Sequence, residues 1–219
     1  MSVLAGGAAL LIQRDNTRTA ACDEVNRLED ANASRRASAI DPSKPLIAFL
    51  GDSYTQGQKM DDPLDAFPYI AAEIAGDSAL VNGRGGSGFV FDGPCADQAF
   101  SYRIDSVLSH DFDVLVVQGG VNDLGRSGQD RAARDLLAAV RTHRPNTTVL
   151  LVGPAAAPGV SRSEVDATAE GMSRAAETAE ASFIDLRDLS IDFLPDGVHP
   201  TITGHETIGE AVAKVLLDQ

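Results

Sequence analysis

The chain has 219 residues, 43% of them apolar, enough for one α/β domain with a sizeable core and an appendage. It carries 18 Lys and Arg against 32 Asp and Glu, a formal charge of −14. That balance excludes nucleic acid, whose phosphates need clustered cations, and argues against a peripheral hold on anionic lipid.

Residues 2–12 are apolar or small. The run is too short to span a bilayer, which takes about 20 residues, and it lacks a basic n-region. Segment 1–13 is expected to be the remnant of a longer signal or anchor, and 14–43 a polar tether with helical character over Cys22–Arg36. On this reading the protein is extracellular or membrane-anchored through its N-terminus; without export it is cytoplasmic. The two cysteines, Cys22 and Cys95, have no Cys-x-x-Cys spacing and no histidine nearby, so a zinc site is not expected. In an exported protein they form one bridge; in a cytosolic protein they are two thiols. No cofactor and no metal is expected.

From Lys44 onward, apolar runs of strand length alternate with helical patterns. Leu46–Leu50 stops abruptly at Gly51-Asp52-Ser53, which reads as a strand buried on both faces with a hydroxyl at its carboxyl end. Strands follow at Ala79–Asn82, Val114–Gln118, Thr148–Val152 and Phe183–Leu186. Helices are expected near Ala66–Ala75, Gln98–Ser109, Gln129–His143, Arg162–Ala181 and Gly204–Leu217. Gly76 stops the first of these, and Pro145 with Asn146 the third. Strands separated by helices predict right-handed crossovers and a three-layer α/β/α domain over residues 44–219.

Four short segments then fall at strand ends or loops. They are Gly51-Asp52-Ser53, Gly83-Arg84-Gly85-Gly86-Ser87-Gly88, Gly119-Gly120-Val121-Asn122-Asp123 and Asp196-Gly197-Val198-His199-Pro200. The chemistry of ester hydrolysis would use them together. A serine hydroxyl is a weak nucleophile at neutral pH and needs a base. His199 can take the Ser53 proton, and Asp196, three residues earlier, can fix the imidazole tautomer across the bend at Gly197. The oxyanion needs donors already in place: the backbone N–H groups of Ser53 and Gly86, and the side-chain amide of Asn122.

These four segments, in this order, resemble the blocks of the SGNH hydrolases, the GDSL esterase/lipase family, from about Lys44 to the C-terminus. Ser53 matches the serine of Gly-Asp-Ser and Gly86 the glycine of the second block. Asn122 matches the asparagine of Gly-x-Asn-Asp, and Asp196 and His199 match Asp-x-x-His. The resemblance implies a flavodoxin-like sheet of five parallel strands and metal-independent hydrolysis of carboxylic esters. Two positions depart from the pattern. Aligning Gly83 and Gly86 to Asn-x-Gly-x-x-Gly puts Val81 where Asn is expected, with Asn82 one place late and Gly85 as an alternative to Gly86. Tyr54 replaces a frequent Leu after the serine.

Other readings of the same residues are weaker. Gly83-x-Gly85-x-x-Gly88 satisfies a dinucleotide-binding pattern, but Phe89-Val90-Phe91-Asp92-Gly93-Pro94 follows it where a helix would be needed. His110 and His143 fall near helix ends, and His205 reads as a surface or capping residue with a fallback role as base. Asp52 and Asp123 are expected to hold their loops by side-chain-to-backbone hydrogen bonds. Tyr54 and Phe89, with Val90 and Phe91, either line a substrate pocket or pack beneath a loop. The expected substrate is a short acyl ester, acetyl above all, on carbohydrate or cell-wall material. A lipase or thioesterase of longer chains, and a catalytically silent glycan-binding module, are the alternatives.

Overall fold

The computed structural model describes the backbone of residues 4–218 and the side chains of residues 16–218. Of the apolar segment 1–13, residues 1–3 therefore lie outside the described residues, as do all its side chains. Five strands, β1 (Leu46–Gly51), β2 (Ser78–Gly83), β3 (Val114–Gln118), β4 (Thr148–Val152) and β5 (Ser182–Ile184), pair in parallel in the order β2-β1-β3-β4-β5. This is the flavodoxin-like doubly wound order that the family resemblance implies. Its switch point lies between β1 and β3, where ligands gather at the carboxyl ends of the strands.

Alternate residues of each strand feed opposite layers, as a pleat requires. Ile47, Phe49, Val116, Leu150 and Val152 pack with Phe67, Ala71, Ala72, Ile208 and Val212 of the helices α3 (Phe67–Ala75) and α7 (Ile202–Leu217). Ala48, Leu50, Leu115, Val117, Val149 and Leu151 face the helices α4 (Phe100–Leu108), α5 (Gln129–His143) and α6 (Arg162–Thr178). Double burial is why β1, β3 and β4 read as unbroken apolar runs.

Two elements go beyond the sequence reading. A single turn of helix, α2 (Ser53–Gln56), follows β1 directly and ends at Gly57, whose φ of 74° suits glycine. The stretch expected as a polar tether is helical as far as Ala37, within α1 (Leu4–Ala37), and it is fastened to the domain. Cys22 is bridged to Cys95, and Arg35 pairs with Asp62 at 2.8 Å. Arg36, buried, donates to Glu29 at 2.5 Å and to the Gln56 carbonyl at 2.7 Å. Among the described residues no helix is long and apolar enough to cross a membrane.

Candidate active site

Ser53 opens α2 at the carboxyl end of β1, and Asp52 caps that turn by accepting from Tyr54 N at 2.9 Å. Gly51 is forced here: a Cβ would stand 2.0 Å from Thr55 Oγ1. The Asp52 carboxyl is fully buried, and burial raises its pKa to about 7 despite the Tyr54 N–H.

The glycine loop after β2 is held from outside. Asp123 accepts from the backbone N–H groups of Phe89, Val90 and Phe91 at 2.7, 3.1 and 3.2 Å. Its partners thus lie in the neighbouring loop, where the sequence suggested its own. Gly88 has no room for a side chain, because a Cβ would meet Asp123 Oδ2 at 2.4 Å. Gly86 takes a φ of 79° and lines the cleft, as does Gly85. Asn122, in the single turn of 3-10 helix after β3, donates through Nδ2 to Ser87 O at 2.9 Å and, more distantly, to Asp52 Oδ2 at 3.5 Å.

The last segment is a tight loop clasped by an antiparallel bridge between Phe193 and Pro200. Gly197 makes its bend at a φ of 70° and accepts from Gly159 N at 2.7 Å. Asp196 Oδ1 accepts from Val198 N and His199 N, both at 2.9 Å, and Oδ2 meets His199 Nδ1 at 2.8 Å. Those donors lower the Asp196 pKa to about 2, so the carboxylate is charged wherever an imidazole titrates. Ser53, Gly85, Gly86, Asn122, Val198 and His199 share one open cleft of about 270 Å3. Among the described residues no group of three His, Cys, Asp or Glu stands ready for a metal ion.

Residues 49–207 match the model of the GDSL-like lipase/acylhydrolase family. The chain belongs to this family. A GDSL-like acylhydrolase is a carboxylic ester hydrolase, and solved structures place the fold beside carbohydrate and aryl esterases. An active-site mutant of a family two carbohydrate esterase from Clostridium thermocellum superposes with a TM-score of 0.70 at 18% identity. That match covers 82% of this chain and 65% of the other, so the chain spans less than two thirds of that protein's length. A carbohydrate acetylesterase from Sinorhizobium meliloti gives 0.69 at 19%, covering 80% and 99%. A putative arylesterase from Agrobacterium tumefaciens gives 0.68 at 22%, with the same coverage. Among curated proteins none matches significantly.

Three of the side chains weighed from the sequence stand elsewhere in the GDSL-like hydrolase. Tyr54 is 1% exposed and points its hydroxyl at the Val198 carbonyl, away from the cleft lining. Phe89 is buried against Phe100, with ring centroids 4.8 Å apart. Both side chains go under the loops because each has an apolar neighbour there. His205 is fully buried and neither caps its own helix, α7, nor faces water. Its ring stacks on Phe67, Nδ1 accepts from Phe67 N at 3.3 Å, and burial lowers its pKa to about 4. Its signal was available, since His205, Ile208, Gly209 and Val212 share one helical face.

Arg103 was not singled out from the sequence. It lies buried beneath the site and donates to Gly51 O, Asn82 O, Asn82 Oδ1, Ser87 Oγ and Gln98 O at 2.6–3.0 Å. Burial lowers its pKa to about 9, leaving it cationic at neutral pH. One side chain thereby ties the end of β1, the end of β2 and the glycine loop together. The displaced Asn82 of the second block serves this arginine.

Proposed function

We propose that this GDSL-like hydrolase is a serine esterase removing short acyl groups, acetyl above all, from carbohydrate or cell-wall material outside the cell. The observation that carries the reading is the 2.8 Å pairing of His199 Nδ1 with Asp196 in the cleft that also holds Ser53 and Asn122. Ser53 Oγ attacks the ester carbonyl carbon, and its proton passes to His199 Nε2. Asp196 keeps the other ring proton on Nδ1 and stabilises the imidazolium. Charge develops on the carbonyl oxygen and is met by Ser53 N, Gly86 N and Asn122 Nδ2, whose 3.5 Å contact to Asp52 is loose enough to yield. Collapse expels the alcohol, which takes the proton from Nε2. Water, deprotonated by the same nitrogen, then frees the acid from the acyl-enzyme.

A cleft of about 270 Å3 is at the small end of ligand sites, which supports a short acyl group. The carbohydrate esterases among the structural neighbours support a glycan-linked alcohol, and the Cys22–Cys95 bridge supports an oxidising compartment. The test is hydrolysis of p-nitrophenyl acetate by wild type and Ser53→Ala in the presence of EDTA, followed by acetylated oligosaccharides and longer acyl esters. Loss of turnover in the variant alone establishes the serine mechanism. Equal rates in both sink it, and turnover of long chains with none on acetylated sugars replaces the acetylesterase by a lipase or thioesterase. No turnover in either protein on any ester favours the binding module.

A further inference from the structure

The family match starts at residue 49, and α1 lies wholly before it. Even so, Ala21, Glu24 and Val25 of α1 stand in the same cleft as Ser53, Asn122 and His199. Their i, i+3, i+4 spacing puts them on one helical face. Val25 is 5% exposed on a helix whose described side chains are mostly in water.

The placement is enforced on both sides of that face. Cys22, beside that face, is joined to Cys95, the neighbour of the cleft residue Pro94, and Arg18 Nε donates to the Pro94 carbonyl at 3.0 Å. Further along, Arg36 and Arg84 both reach Glu29, and Arg36 also holds the Gln56 carbonyl, three residues from Ser53. A helix serving only to connect would need none of this. Here one covalent bond and several charged contacts press three small or apolar-stemmed side chains against the site.

We propose that α1 is a specificity-determining wall: Ala21, Glu24 and Val25 limit the size of the ester the cleft admits, and the Cys22–Cys95 bridge holds the wall in place. The proposal rests on the esterase reading of Ser53. It names these three residues as the reason that short acyl groups are preferred.

The experiment measures kcat/KM of the full chain on p-nitrophenyl acetate, butyrate and octanoate, and on an acetylated oligosaccharide. The variants are Val25→Ala, which widens the cleft, Ala21→Phe, which narrows it, and Cys22→Ser with Cys95→Ser, which releases the helix. Within each sample the ratio of one ester to another cancels any fraction that failed to fold. Val25→Ala and the double serine variant should raise the ratio of bulky to acetyl ester by roughly tenfold, the scale of one or two methylenes in an apolar pocket. Ala21→Phe, at an exposed position that tolerates change, should lower it by a similar factor. Ratios within about twofold of wild type in every variant and on both the acyl and the alcohol series overturn the wall. Wild-type turnover of acetate by Ser53→Ala overturns the esterase reading instead, so the two failures are distinguishable.

Discussion

Asp52 and Asp196 each cap a turn in the same cleft region, yet their environments push them opposite ways. Asp52 is sealed beneath the serine turn, and burial lifts its pKa to about 7. Asp196 stands in a loop open to water, and two backbone N–H groups and the imidazole bring it to about 2. Residue type is the same; donors and solvent decide the charge. A carboxylate proposed to steady an imidazolium must stay ionised, and the wet, well-donated site provides that. The dry site makes a good structural cap and a poor counter-charge. Tyr54 joins the two, donating its N–H to Asp52 and its hydroxyl to Val198 beside His199.

The sharpest break of this contrast is Asp196→Asn. The amide keeps an acceptor for Val198 N and His199 N but offers N–H to His199 Nδ1, favouring the wrong tautomer. We expect kcat to fall by roughly 10^3–10^4, with thermal unfolding little changed. Arg103→Met acts on the dry side. It removes a donor from each of the Gly51, Asn82 and Gln98 carbonyls and should cost about 3 kcal/mol in denaturant unfolding. It also removes the cation nearest to offsetting the burial of Asp52, and so widens the gap between the two carboxyls.

Asp52→Asn tests the dry carboxyl by pH. With a folded pKa of about 7 above the ordinary 3.8, the native state holds a proton that the unfolded chain has lost, so stability falls as pH rises through that window. Between pH 5 and pH 8 the wild type should lose about 2–3 kcal/mol that the variant keeps. An identical pH profile for the two would contradict the raised pKa. Tyr54→Phe is the smallest change. Loss of one hydrogen bond to the His199 loop should cost about 1 kcal/mol and reduce kcat severalfold, with KM steady.

Much of this was legible because the parallel sheet writes itself plainly. β3 and β4 are unbroken Val and Leu runs whose limits match their strands, and α5 ends at His143 before Pro145 as expected. The four site segments lie at strand ends or in loops, where turn residues make them visible. What escaped detection depends on contacts distant in sequence. Arg103 looks like one more charge on a helix until the ends of β1 and β2 close over it. α1 has almost no apolar periodicity, since a disulfide and ion pairs hold it in place of a hydrophobic stripe. A residue such as Val25 gives no sign of reaching the Ser53 cleft until Cys22 and Cys95 are joined.

That bridge also divides the cleft covalently. Residues 22–95 form a closed ring. Ser53 and Gly86 lie inside it, whereas Asn122, Asp196 and His199 lie outside. On the loop-entropy model a ring of this size removes about 4 kcal/mol of freedom from the unfolded chain. The restriction falls on one half of the cleft only. An oxidised chain that refolds therefore begins with Ser53 already tethered to its glycine loop, while Asp196 and His199 must find them through the sheet alone.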